Sequence, residues 1–434
     1  MSGKRSLLKC SLSKGSKMER DNPEYLIIGG SAAGIAAAQA IKEKASKHIV
    51  TVLSEELDMP YFSPLIPYVV TGKKKADGIG LSGNGPYTSA GIEIRTGARV
   101  DSVDVSRKSV IINGNDRLYY NKLLFATGSR PYIPPEIEGT DAYGVFALQK
   151  LSDARAMAQR AESTDHAVML GGGLLNLKAA FALLELGIKV TLVVYSPEVL
   201  SQLMEPEDAG LIRKALDKAG LKIMTGRSAK GIISDKSGVT GVALDDGSEI
   251  PCRMVCVGKG VRPNIDFLSS SGIAIDKGIV VDKYTAGNNP AIFAAGDVAV
   301  TFDSVTGDRI MTALWTNAVE MGRCAGYNMA VIKTAYSGTF GFMNATQVAD
   351  EPFVSMGIVH TKGADYEIHV SATKSTYRKV VFSPDGERLV GVLFIGDITG
   401  AGMYRYVIRK NMRIGRMKYH IVNHTLHYGH FLKG

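Results

Sequence analysis

One pattern occurs twice in this chain, and the repetition limits the fold more than any other feature. In Tyr25–Glu55 an apolar run (Leu26, Ile27, Ile28) meets a glycine turn at Gly29–Gly34. An Ala-rich segment with helical spacing follows, and a β-branched run at Ile49–Val52 closes the stretch. His166–Leu170, GGGLLNLKAAFALLELG (Gly171–Gly187) and Lys189–Tyr195 repeat that order. Strand, tight turn, helix and parallel strand make the βαβ unit that holds a dinucleotide. Its glycines let backbone N–H groups approach a pyrophosphate, which the positive end of the helix dipole also attracts. Each copy leaves through a matching exit, KLLFATGSRP (Lys122–Pro131) and MVCVGKGVRP (Met254–Pro263).

The rest of the chain arranges itself around the two copies. LDMPYFSPLIPYVVTGKKK is too irregular for a simple helix, Ile92–Val105 and Ser109–Ile112 read as short strands, and Gly241–Pro251 reads as a hairpin around Asp246-Gly247. NPAIFAAGDVA (Asn289–Ala299) is a strand that ends in Gly296-Asp297, and Ala313–Ala330 is a helix. Beyond residue 331 the strand-rich segments FVSMGIVH, YRKVVFSP and RLVGVLFIGD form a third unit. The expected class is α/β: two Rossmann-like domains plus a C-terminal α+β domain. The expected division is a basic extension at 1–20, a first domain at 21–140 and 264–330, a second at 141–263, a third at 331–402, and a basic tail at 403–434.

A length of 434 residues provides ample core, and an apolar fraction of 45% is ordinary for a soluble protein. No uninterrupted apolar run is long enough to span a membrane. The net charge of +9 sits at the ends, because residues 1–18 and 403–434 carry cations and no acid. That placement fits an acidic partner, an anionic surface or solubility rather than a nucleic-acid-binding fold. Cys10, Cys252, Cys256 and Cys324 are scattered, and with no signal peptide they point to a reducing cytoplasm. Four of the eight histidines, His420, His424, His427 and His430, are spaced for one helical face; a basic docking surface suits them better than a metal site.

With both glycine turns, the Ala-Thr-Gly exit and the Gly296-Asp297 strand end in place, the chain resembles the pyridine-nucleotide-disulfide oxidoreductases. Within that class it is similar to the branch of rubredoxin and ferredoxin reductases and the nitrite reductase flavin domain. The resemblance implies a glutathione-reductase-like fold, FAD in the first domain, NAD(P)H in the second, and a C-terminal interface domain that often makes a dimer. It places Gly29, Ser31, Ala33, Gly34, Val100, Thr127 and Gly128 at the FAD, with Ser31 standing where a second glycine is usual. Glu55 would take the ribose hydroxyls, Asp297 beside Gly296 the ribitol chain, and the helix start at Trp315 the flavin pyrimidine. Gly171, Gly173, Asn176 and Lys178 would form the second nucleotide site.

The departures carry as much as the matches. The class's CxxxxC pair, and the single cysteine that relatives place near Ser63–Leu65, have no counterpart here. A thiolate is the nucleophile of that chemistry, so disulfide or peroxide reduction through a cysteine is disfavoured. Asn176 replaces the third glycine, Lys178 a glutamate near the nicotinamide, and Val194 the acid that would bind the ribose of NAD. The choice between NADH and NADPH stays open.

The expected activity is FAD-dependent oxidation of NAD(P)H with electrons passed, without a redox-active disulfide, to a protein or small-molecule acceptor: an acidic iron–sulfur protein, a partner subunit, oxygen or a quinone. A relay subunit with a degenerate nicotinamide site and a non-catalytic binding flavoprotein are the alternatives.

Overall fold

The computed structural model describes residues 24–81, 87–339, 341 and 343–432; the expected extension at 1–20 and Cys10 lie outside them. Tyr25–Ile28 is the central strand of a five-stranded parallel sheet. Val50–Leu53 and Ile92–Arg95 lie on one side of it, Lys122–Phe125 and Ile292–Ala294 on the other. The second sheet repeats the order around His166–Leu170, with Lys189–Val194 and Lys222–Thr225 on one side, Met254–Val257 and Val145–Phe146 on the other. Leu26, Ile27, Leu123, Leu124, Val168 and Met169 are fully buried, as strands covered on both faces require.

The alanines of the first helix, Ala32–Lys44, have a packing reason. It lies against the helix Trp315–Met329, where a Cβ on Gly322 would sit 2.2 Å from the Ala33 carbonyl oxygen and one on Gly326 2.4 Å from that of Ala37. Only small residues on both sides let two backbones come this close.

The two exits do more than mirror each other. Ser129–Pro131 and Val261–Pro263 pair antiparallel, Ser129 opposite Pro263 and Pro131 opposite Val261, so the matched segments form the ribbon that joins the two nucleotide units. Ile137 is already buried in the second unit's core, which puts the first crossing nearer this ribbon than residue 140. The helix Leu151–Ala161 follows, an element absent from the expected organisation. The irregular stretch after the first unit contains the short helix Ile66–Val70, whose Ile66, Val69 and Val70 join the core of the second unit.

The third unit is a five-stranded antiparallel sheet with Leu389–Ile395 at its centre. Phe353, Leu393 and Ile395 pack toward the second unit's core, while Phe394, Val392 and Val354 face Tyr404, Val407, Ile408 and Ile421. The helix Ala401–Arg409 therefore runs across the expected boundary at 402/403, and the basic tail is the outer layer of this unit rather than an appendage. Its charge is largely committed within the molecule. Arg405 and Arg409 pair with Glu320, Arg413 with Glu387 and Lys418 with Glu367.

Candidate functional site

The C-terminal ends of both parallel sheets open into one cleft of about 1910 Å³. A single small-molecule pocket is usually ~300–1,000 Å³, so this one has room for two dinucleotides meeting end to end. On the first side, Gly29 has φ +115°, and a Cβ there would fall 2.0 Å from the Ala126 carbonyl oxygen; one on Gly34 would fall 1.9 Å from that of Gly29. Both glycines are sterically required. Ser31 is exposed at the helix N-cap, makes no side-chain cap bond, and no acid lies in the first turn, so the positive helix end is free for an anion.

Gly296, at φ +79°, lets the chain pass beside Ala33, and Asp297 next to it is half-buried in the cleft wall. Burial pushes its carboxyl pKa up, and the Ser129 hydroxyl, which donates to Oδ2 at 2.8 Å, pulls it back only in part. A half-buried carboxylate with one side-chain donor and its own backbone N–H has acceptor capacity left for a ligand hydroxyl. Thr127 is tied to Asn264: its hydroxyl donates to the Asn264 carbonyl at 2.9 Å, and the Asn264 amide donates back at 2.9 Å. Gly128 follows at φ +63°. Glu55 is exposed on the cleft rim, its carboxylate 3.7 Å from the Lys150 ammonium, and Val100 is buried in the same wall. Trp315 opens its helix without a side-chain cap and meets Phe62 edge-on at 4.7 Å. These features fit FAD: an uncapped helix start for the diphosphate, a carboxylate for hydroxyls and a second uncapped helix start for an electron-rich ring.

The second turn is intact in a different way. Gly171, at φ +110°, abuts the Gly258 carbonyl, and Gly173 is the N-cap of the helix Leu174–Glu185. Asn176 is buried and donates from Nδ2 to the Gly171 carbonyl at 2.7 Å. It fits because its neighbour is glycine: a Cβ on Gly258 would lie 2.6 Å from Asn176 Cγ. In the first unit the corresponding pair is Gly34 and Ala126, so the bulk has changed sides. Val194 is buried at the strand end, and the nearby Glu198 is tied up by Arg213. Lys178 lies in the cleft wall, and burial lowers its pKa.

Several cleft residues were not expected from sequence. Gln149 donates from Nε2 to the Ser129 carbonyl at 2.8 Å, while its buried Oε1 has no partner among the described residues. Tyr61 donates to Glu56 at 2.6 Å. Lys259 occupies in the GKG exit the place Thr127 holds in ATG, a difference visible only when the two exits are aligned. Cys252, Cys256 and Cys324 are all buried away from the cleft, with burial pushing their thiols up to about 12, about 12 and about 11. In the tail, His420 stacks on His430 at 3.8 Å and His427 lies 3.7 Å from His430, while His424 turns inward onto Phe394. Among the described residues no group of three or more ligating side chains is arranged to hold a metal ion. No helix among them is long and apolar enough to cross a membrane.

The chain belongs to the pyridine nucleotide-disulphide oxidoreductase family, whose model matches residues 23–322. It is an FAD-dependent NAD(P)H oxidoreductase. It is 28% identical to the NADH-dependent phenylglyoxylate dehydrogenase subunit epsilon of Aromatoleum evansii over 94% of this chain and 97% of that one. It is 32% identical to an NADH oxidase of Methanocaldococcus jannaschii over 72% of this chain and 71% of that one. Among solved structures, a NAD-dependent persulfide reductase from A. fulgidus superposes with a TM-score of 0.85 at 27% identity, covering 91% of this chain and 78% of that one.

Proposed function

We propose that this chain takes hydride from NADH or NADPH onto FAD and passes the electrons to an iron–sulfur protein or partner subunit, with no thiol between flavin and acceptor. The observation that carries the reading is the cleft itself: two glycine turns face each other across it, and no cysteine among the described residues lines it. The FAD supplies the chemistry, a carrier that accepts an electron pair and releases electrons one at a time. Gly29, Ser31, Ala33 and Gly34 bind the diphosphate at the first helix, Glu55 the ribose, and Val100 lines the adenosine end. Asp297, held by Ser129, accepts from the ribitol chain; Thr127 and Gly128 shape the turn beneath it. The N–H groups at Trp315 orient the pyrimidine and favour the reduced, anionic ring. Gly171, Gly173, Asn176 and Lys178 orient the nicotinamide nucleotide. A relay role within a larger complex is supported by likeness to a named subunit along nearly the whole of both chains.

Anaerobic stopped-flow mixing with NADH and with NADPH tests this. At least one should bleach the flavin within seconds, and a ferredoxin or rubredoxin should then reoxidise it faster than oxygen, a disulfide or a persulfide does. Failure of both nucleotides to bleach it, or preferential turnover of a sulfur substrate, would sink the proposal.

A further inference from the structure

The two walls of the cleft differ in how their charges are compensated. On the first unit's side, Arg99 pairs with Asp101 and Arg130 with Asp266, while Glu55 is met across the cleft by Lys150 of the second unit. Among the described residues, those that the second unit contributes to the cleft lining, from 147–150, 171–203 and 257–262, include no carboxylate; Glu185 and Glu198 in that span are not part of the lining and pair with Lys73 and Arg213. Arg262 there stacks over Tyr132 at 4.1 Å. Lys178 and Lys259 have no ion pair or hydrogen bond among the described residues, and burial alone accounts for the downward shift of both ammonium pKa values.

Their position follows from the topology. A dinucleotide lies across the end of the central strand, with its adenosine half toward the next strand of the βαβ unit, here Lys189–Val194. Met254–Val257 lies on the other side of His166–Leu170. Lys259 emerges two residues after that strand, its Cδ 3.7 Å from where a Cβ on Gly171 would be. Lys178 stands four residues after Leu174 and three after Leu175, so it overlies the cleft-lining first turn of its helix. That helix packs on Ile66–Val70 of the first unit, which puts Lys178 at the seam where the two nucleotides would meet. Both cations therefore belong to the nicotinamide half.

We propose that Lys178 and Lys259 make the second site read the redox charge of the nicotinamide, retaining the reduced nucleotide and expelling the oxidised one. This rests on the reading that a nicotinamide nucleotide occupies the second turn. The dihydronicotinamide ring is neutral. When its C4–H bond breaks and the hydride leaves with its electron pair for the flavin, the ring becomes a cation beside two ammonium groups that no carboxylate offsets. The reducing direction is thereby favoured, and product release is hastened.

The test uses the FAD-loaded protein and three probes measured by calorimetry and by perturbation of the flavin spectrum: NAD+, the non-transferring reduced analogue 1,4,5,6-tetrahydro-NAD, and ADP-ribose, which has the diphosphate and no nicotinamide. The wild type should bind the reduced analogue at least about tenfold more tightly than NAD+. Lys178→Gln and Lys259→Gln, alone and combined, should shrink that ratio, with NAD+ gaining relative to ADP-ribose. Lys178→Arg keeps the charge and should keep the ratio, while the flavin spectrum of each variant reports its folding. A ratio near one in the wild type, or a parallel loss of all three probes in the variants, overturns the inference and leaves the lysines as diphosphate ligands. If none of the probes binds the wild type, the proposed function itself fails, and this inference with it.

Discussion

Single residues decide how each nucleotide turn closes. In the second unit Asn176 and Gly258 share a space that Gly34 and Ala126 divide the other way in the first. Gly258→Ala should therefore push on Asn176, break its bond to Gly171 and weaken nicotinamide nucleotide binding. Asn176→Gly combined with Gly258→Ala recreates the first unit's pair and should recover binding. A double-mutant cycle read by calorimetry should give a coupling of about 1–3 kcal/mol, and additive losses would refute the compensation. Asp297 carries the second prediction at this scale. Burial raises its folded pKa above the unfolded value of about 3.9. An acid shifted this way contributes stability that is fully present below the unfolded pKa and lost as pH rises through the folded one. In the FAD-free protein, Asp297→Asn should thus raise the melting temperature at pH 7 and leave it nearly unchanged at pH 3. The same substitution should weaken FAD binding by roughly tenfold or more, the worth of a hydrogen bond to a charged acceptor.

Elements were legible from sequence where the pattern is local. Both glycine turns, the strands His166–Leu170 and Ser109–Ile112 and the hairpin around Asp246-Gly247 stand where spacing and turn chemistry put them. The helix Leu151–Ala161 has no comparably local signature, and the tail looks separate in sequence because its cations hide an apolar face of Tyr404, Val407, Ile408 and Ile421. In the cleft the glycines were legible, but their partners were not. Asn264 reaches Thr127 across 137 positions and Asp297 reaches Ser129 across 168, and no short window holds both ends of such a pair. Gly322 and Gly326 show the same limit, since only the folded helix pair explains them. Gly322→Ala places a methyl where the Ala33 carbonyl stands and should cost about 3 kcal/mol through overpacking. Urea denaturation should show that loss together with weakened FAD retention, because Ala33 belongs to the turn.

At the scale of the whole molecule, the nucleotide units and the third unit are fastened by a buried ionic cluster that nothing in the sequence announces. Lys379, from the strand Tyr377–Phe382, sends its ammonium to Glu205 at 2.5 Å, Asp208 at 3.1 Å and the Val359 carbonyl at 3.0 Å. Tyr377 donates to the other oxygen of Asp208, and Thr361 and Lys362 donate backbone N–H groups to Glu205. Burial alone would raise the Glu205 pKa, but the Lys379 bond and these N–H groups outweigh it and hold the carboxyl at about 2. A depressed carboxyl contributes stability above its unfolded pKa that is lost as pH falls through the folded one. The seam should therefore weaken between about pH 4.3 and about pH 2. Lys379→Met leaves two carboxylates buried without their cation, and breaking such a pair from one side costs about 3–5 kcal/mol. Because Leu203 and Met204 next to Glu205 belong to the core that the second and third units share, the loss should spread through both. Urea midpoints from pH 7 down to pH 2 should fall steeply for the wild type over the lower part of that range, and the Lys379→Met variant should start lower and change less. Parallel curves for the two proteins would show that the cluster does not fasten the seam.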